Sequence, residues 1–142
     1  MPVFAYYADS DTLTVTPRFK KNLPAYSDNA APGEYITRAE IDRIISDLIA
    51  DEREIEYIDL SSPEEYITRA SFAAVMAGFI FKPESTLEAQ FSDMKEDDWF
   101  YAPMSAMVNA GYIKGYGDNT MRPESFITRA EVQIIINRMI EG

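Results

Sequence analysis

The sequence predicts a mostly α-helical domain in which three equivalent capped helices pack on one another, with one additional helix. Three observations predict it. A phrase Ile-Thr-Arg-Ala occurs at 36–39, 67–70 and 127–130, with the isoleucines 31 and 60 positions apart. Each occurrence is followed by apolar residues at the same offsets, those of one buried helix face. The chain has 142 residues, 46% hydrophobic and 13% aromatic, which is enough for a single core and too apolar for disorder.

The elements follow in chain order. Val3 to Tyr7 and Thr12 to Thr16 read as two strands around a turn at 8–11, with Pro17 ending the second. This hairpin reads equally as the tail of a preceding domain, so residues 1–24 form an extension and 25–142 the repeat domain. Within the latter, the units run over about 25–54, 55–90 and 91–141.

Thr37 with Glu40, and Thr128 with Glu131, have the spacing of a capping box. Thr68 meets Ser71 instead, so its box is weaker. Ile36, Ile67 and Ile127 precede the caps, and Ile41, Phe72 and Val132 stand where hydrophobic staples need them. The buried faces are then Ile41, Ile44, Ile45, Leu48 and Ile49; Phe72, Val75, Met76, Phe79 and Ile80; and Val132, Ile135, Ile136, Met139 and Ile140.

An aromatic-x-Asp element lies upstream of each cap: Tyr26 with Asp28, Tyr57 with Asp59, and Phe91 with Asp93. Asp28 and Asp59 stand nine positions before their threonines, but Asp93 stands 35 before Thr128. The longer interval holds a further helix, starting near Asp97 or Asp98, with Pro103 in its first turn and Gly111 as its C′ residue. A glycine-rich turn segment, 112–123, follows.

Composition excludes several function classes. Lys and Arg number 13 against 24 Asp and Glu, a net charge of −11, which disfavours nucleic acid and anionic membrane surfaces. With no cysteine there is no disulfide, thiolate zinc site or cysteine nucleophile. With no histidine there is no Ser-His-Asp triad. No apolar run is long enough to span a membrane. The start of the chain does not read as a signal peptide, so an exported protein would have this chain as a mature piece.

Arg38, Arg69 and Arg129 stand at N1, where a cation faces the positive end of the helix dipole, unfavourable by roughly a few tenths of a kcal/mol. Two accounts are open: a salt bridge to a neighbouring carboxylate, or a fork that grips a carboxylate or hydroxyl-rich ligand beside helix N–H groups. Trp99 reads as core filler or as a stacking platform for a sugar. Gly111, Gly115 and Gly117 serve turns or let a ligand approach the chain. Asp93, Glu96, Asp97 and Asp98 lack EF-hand spacing and read as solvated or capping groups. No catalytic pair stands out among the carboxylates, and no cofactor or metal is implied.

The span from Phe91 to Ile140 resembles one complete repeat of the S-layer homology (SLH) domain. It has the aromatic-x-Asp opening, Trp99 at a helix head, the Gly111–Tyr116 turn, and Asp118-Asn119-Thr120-Met121-Arg122-Pro123 where the family usually has Asp-Gly-Thr-Phe-Arg-Pro. The first two units look abbreviated. The resemblance implies a central bundle of three capped helices with pseudo-threefold symmetry. It also implies a non-catalytic module that anchors exported proteins at the bacterial cell wall by binding acidic secondary polymers, pyruvylated amino sugars among them.

On that pattern the ligand-binding residues are Arg129, with Trp99 and Gly115, Tyr116, Gly117, Asp118 and Arg122 shaping the groove, and Arg38 and Arg69 at the equivalent positions. The expected partner is a cell-wall polysaccharide, with attached domains or self-association besides. The competing expectation is a structural or protein-interaction module whose degenerate repeats no longer bind sugar. Internal pairing of all three arginines would favour it.

Overall fold

The computed structural model describes residues 24, 26, 27, 31–48, 61–80 and 91–141. The hairpin expected over 3–19, Asp28, Asp59, Ile49 and the boundary near 54 lie outside the described residues. Four helices are described: α1 (Arg38–Leu48), α2 (Arg69–Ala77), α3 (Tyr101–Asn109) and α4 (Arg129–Glu141). The expected architecture of three capped helices with one more is therefore present.

Each capped helix begins where its phrase places it, directly after Thr37, Thr68 or Thr128. Their apolar faces share one core. Ile41, Ile45 and Leu48 of α1, Phe72, Val75 and Met76 of α2, and Val132, Ile135, Ile136 and Met139 of α4 are all buried in it. Ile36, Ile67 and Ile127, the residues before the caps, are completely buried. The closest approach between helix backbones is that of α2 on α3. Helices α1, α2 and α4 instead share the core and are joined through the stretches that precede them.

Two helix limits differ from expectation. Helix α3 starts at Tyr101, not near Asp97 or Asp98. A proline ring clashes with the carbonyl four residues earlier, so Pro103 excludes Trp99 from the regular helix. Within α3, Pro103 falls in the first turn, as expected. Helix α2 stops at Ala77, because Gly78 caps it with its N–H on Met76 and Val75. Phe79 and Ile80 continue as turns, their N–H groups donating to Met76 (3.0 Å) and Ala77 (3.1 Å), and both stay buried. Gly111 has φ +83°, the left-handed C′ conformation that ends α3.

Candidate functional site

The site is built on a ring made by the three phrases. Each phrase enters its helix through an extended stretch. Those stretches pair cyclically by single antiparallel bridges: Thr37 with Tyr66, Thr68 with Phe126, and Thr128 with Tyr35. Before each stretch lies a turn opened by a proline: Pro32, Pro63 and Pro123. The N–H of Arg38 donates to Glu65 (2.9 Å) and that of Ala39 to Pro63 (3.1 Å). The same two bonds recur from Arg69 to Ser125 and Ala70 to Pro123 (2.8 and 2.9 Å), and from Arg129 to Glu34 and Ala130 to Pro32 (2.8 and 3.0 Å). Unit one thus caps on unit two, two on three, and three on one.

The next N–H of each helix is taken by its own threonine hydroxyl. Glu40 donates to Thr37 (3.2 Å), Ser71 to Thr68 (3.1 Å) and Glu131 to Thr128 (3.3 Å). The first three N–H groups of every capped helix are therefore satisfied inside the chain. Of the two accounts of the N1 arginines, the ligand fork therefore finds no open N–H group at these three positions beside it.

The arginine side chains run around the same ring. Arg129 reaches Glu40 of α1, and Arg69 reaches Glu131 of α4. Each glutamate divides its carboxylate between two units. Oε1 of Glu40 accepts from the Thr37 N–H and hydroxyl, while Oε2 receives Arg129. Oε1 of Glu131 accepts from Thr128 in the same way, and Oε2 receives Arg69. The third position breaks the pattern, since Arg38 points toward a unit whose N3 residue is Ser71. Its Nε lies 3.8 Å from the exposed carboxylate of Glu65, too far for a hydrogen bond.

Arg69 is 2% exposed. Its Nε donates to the Met121 carbonyl (2.8 Å), and its guanidinium carbon sits 4.8 Å from the centre of the Tyr116 ring. The Tyr116 hydroxyl donates to Oε2 of Glu131 (2.9 Å). Burial raises the Tyr116 pKa above its ordinary value; the Arg69 charge pulls it down, and the hydrogen bond to Glu131 pushes it up. The hydroxyl is protonated at neutral pH and donates.

The turn segment is held from both ends. The Asp93 carboxylate accepts from the N–H groups of Met121 (2.9 Å) and Arg122 (2.8 Å). That clamp fixes Arg122 at φ 50°, a strained value for a side-chain-bearing residue, just before Pro123. Asn119, where the resemblance expects glycine, takes φ 64°, a region asparagine tolerates. Gly115 is required by close approach, since a Cβ there would meet the Phe91 ring at 2.4 Å. The space around Gly117 is open.

Arg122 also lies over the Tyr116 ring, its guanidinium carbon 3.7 Å from the centroid, and pairs with Asp118 at 3.2 Å. Hydrogen bonds from Thr120 and Arg122 hold the Asp118 carboxyl below its ordinary pKa. Trp99 is 62% exposed, edge-on to Phe100 at 5.6 Å. It is therefore not core filler. An open depression of about 550 Å³ is lined by Phe100, Lys95, Arg122, Asp93, Asp98 and Glu124 among others; Trp99 does not line it, although its sequence neighbours Asp98 and Phe100 do.

Of the residues singled out from the sequence, the structure brings together Arg69, Gly115, Tyr116, Asp118 and Arg122, while Trp99 touches Phe100, one of the residues lining the depression. Arg129 turns away to Glu40, and Arg38 lies in the first unit. The arginine that meets the glycine turn is Arg69, not Arg129, because each arginine serves the following unit. Sequence reasoning missed the structural roles of Asp93 and of the three prolines. The prolines carry a legible signal, each standing four positions before its isoleucine.

Residues 90–132 match the S-layer homology domain family. Over 55 residues the chain is 42% identical to a cellulosome-anchoring protein of Acetivibrio thermocellus, covering 39% of this chain and 12% of that protein. It is 38% identical over 70 residues to exoglucanase XynX of the same organism, covering 49% of this chain and 6% of that one. An amylopullulanase of Thermoanaerobacterium thermosulfurigenes is 37% identical over 70 residues, with coverage of 49% and 4%. The chain thus spans about an eighth or less of the length of these relatives. No solved structure matches. The exposed tryptophan, the glycine turn and the start of the last capped helix lie within the matched stretch, and it is this stretch that is similar to the S-layer homology domain.

Proposed function

We propose that this chain is a non-catalytic anchoring module that holds its parent protein at the bacterial cell surface by binding an acidic secondary cell-wall polysaccharide. The observation that carries this reading is the depression in the third repeat, together with the exposed Trp99 that stands in sequence between two of its lining residues, Asp98 and Phe100. An exposed indole suits the apolar face of a sugar ring. Lys95 and the half-exposed Arg122 guanidinium supply donors for carboxylates and hydroxyls. Asp93 and Asp98 keep their charge, but their carboxylates are engaged by backbone N–H groups, so the donors offered to a ligand are those of Lys95 and Arg122. A pyruvylated amino sugar, with a carboxylate on an otherwise stackable ring, fits these groups.

The test is titration of the intact chain with purified wall polymer. Trp99→Ala and Arg122→Ala should each weaken binding by about tenfold, the equivalent of one lost stacking or charged contact. Binding unchanged in both variants contradicts the placement of the site.

A second reading, a structural or protein-interaction module, is favoured by a specific observation. Arg69 and Arg129 are engaged by internal carboxylates, and Tyr35, Tyr66 and Phe126 form an aromatic triangle at the ring, each 44–45% exposed. Concentration-dependent association, lost in Tyr66→Ser, together with no polymer binding, would decide for it.

A further inference from the structure

Three aromatic rings stand where the three phrases close on one another: Tyr35, Tyr66 and Phe126, each directly before its isoleucine. Burial alternates along each entering stretch. Ile36, Ile67 and Ile127 are completely buried, so the core is already sealed without the aromatics. The aromatics themselves are 44–45% exposed, and they are three of the five exposed large hydrophobic residues among the described residues. They pack edge to face with centroids 5.3–5.4 Å apart, so the platform is assembled before anything meets it. The charge around it has one sign. The stretches 31–37, 61–68 and 123–128 carry Glu34, Glu64, Glu65 and Glu124, all exposed, and no cation. The arginines that follow them, Arg38, Arg69 and Arg129, are only 18%, 2% and 12% exposed. Arg38 stays 3.8 Å from Glu65, and Lys95 and Arg122 line the same depression as Glu124. The acidic side of the platform is therefore that of Glu34, Glu64 and Glu65.

We infer that this aromatic face is a docking site for a short basic segment of a partner protein, whose arginine or lysine lies on the rings and is met by Glu34, Glu64 and Glu65. Ring faces attract cations, and carboxylates beside them add to the attraction. A second copy of this chain does not fit. Two copies meeting through this face would bring the same carboxylates together, each on a chain of net charge −11. The area also suits a small occupant, since the exposed parts of three aromatic side chains come to roughly 300 Å² against about 800 Å² per partner in a stable interface. The inference rests on the interaction reading for the use of this face, and goes further by naming the partner. It needs neither the presence nor the absence of polymer binding at the depression.

The experiment is an NMR titration of the intact chain with the peptide acetyl-Gly-Arg-Gly-Arg-Gly-amide, read at the ring signals of Tyr35, Tyr66 and Phe126. The same peptide with glutamate for arginine is the control. The ring signals should shift saturably with the first peptide and stay in place with the second. Tyr66→Ser, and separately the pair Glu64→Gln and Glu65→Gln, should each weaken binding by about fivefold. The pair Asp47→Asn and Glu141→Gln removes as much charge near the C-terminal ends of α1 and α4, and should leave binding unchanged. Thermal melts check that each variant is folded, and the exposed glutamine pair decides the matter should Tyr66→Ser unfold. No shift with the basic peptide, or equal weakening by the two charge-removing pairs, overturns the inference. Sedimentation of the chain alone separates its failure from that of the interaction reading. Association lost in Tyr66→Ser, without peptide binding, overturns the basic partner and keeps the interaction reading; neither association nor peptide binding overturns both.

Discussion

Glu131 closes the cap of its own helix with one carboxylate oxygen and receives the guanidinium of Arg69, from the preceding unit, on the other. One side chain thereby joins a local signal, the capping box, to a contact between units 62 residues apart in sequence. Glu40 does the same for Arg129. The dipole penalty of a cation at N1 is offset in this way, because the charge is carried to the next helix's carboxylate.

Replacement of Arg69 should be far more damaging than replacement of Arg38. Arg69→Ala removes the partners of the Met121 carbonyl and of Glu131 at a buried position, and should cost about 3 kcal/mol or more. Arg38→Ala, removing a side chain whose one ion pair is long and solvent-facing, should cost roughly 1 kcal/mol or less. Urea unfolding of the two variants checks the order. Equal losses would mean that the pairing with Glu131 contributes nothing.

Ser71→Glu should stabilise the domain. It completes the box with Thr68 and gives Arg38 a partner, together about 1–2 kcal/mol. The expected signature is a higher urea midpoint with an unchanged slope.

Acid should unlock the ring. Burial pushes the Glu40 carboxyl up, but the Arg129 hydrogen bond and charge and the Thr37 N–H and hydroxyl outweigh it, so its pKa lies below the ordinary glutamate value of 4.5. A depressed carboxylate contributes stability that is fully present above that ordinary value and is lost as pH falls through the folded one. Stability should therefore decline below pH 4.5, and Glu40→Gln should flatten that decline while lowering stability at neutral pH. Thermal melts across the acid limb measure both slopes.

Two glycines of one turn should respond differently to alanine. A Cβ at Gly115 meets the Phe91 ring at 2.4 Å, whereas nothing lies within 4 Å of one at Gly117. Gly115→Ala should cost about 1–3 kcal/mol, the range for overpacking, and Gly117→Ala less than about 0.5. Differential scanning calorimetry separates them.

What the sequence displays is what local backbone chemistry encodes. Thr37, Thr68 and Thr128 mark the helix starts correctly, Pro103 falls in a first turn, and Gly111 takes the C′ conformation. Among the described residues the apolar faces are buried as their periodicity implies, with Ile44 and Ile140 only partly so. The inter-unit contacts are not local, so nothing near Arg69 announces that it will meet the third unit rather than its own. Trp99 illustrates the same limit. Its size suggests a core position, but Pro103 keeps it outside α3, and it faces solvent. Ser71 was visible as the odd member of the three boxes, yet its consequence for Arg38 emerges only once the phrases are closed into a ring.

The anchoring account is tested most directly by co-sedimentation of the intact chain with bacterial wall sacculi that keep their secondary polymer, against sacculi from which that polymer has been chemically stripped. The account predicts that the chain pellets with the first and stays in the supernatant with the second. Pelleting with both, or with neither, would contradict it.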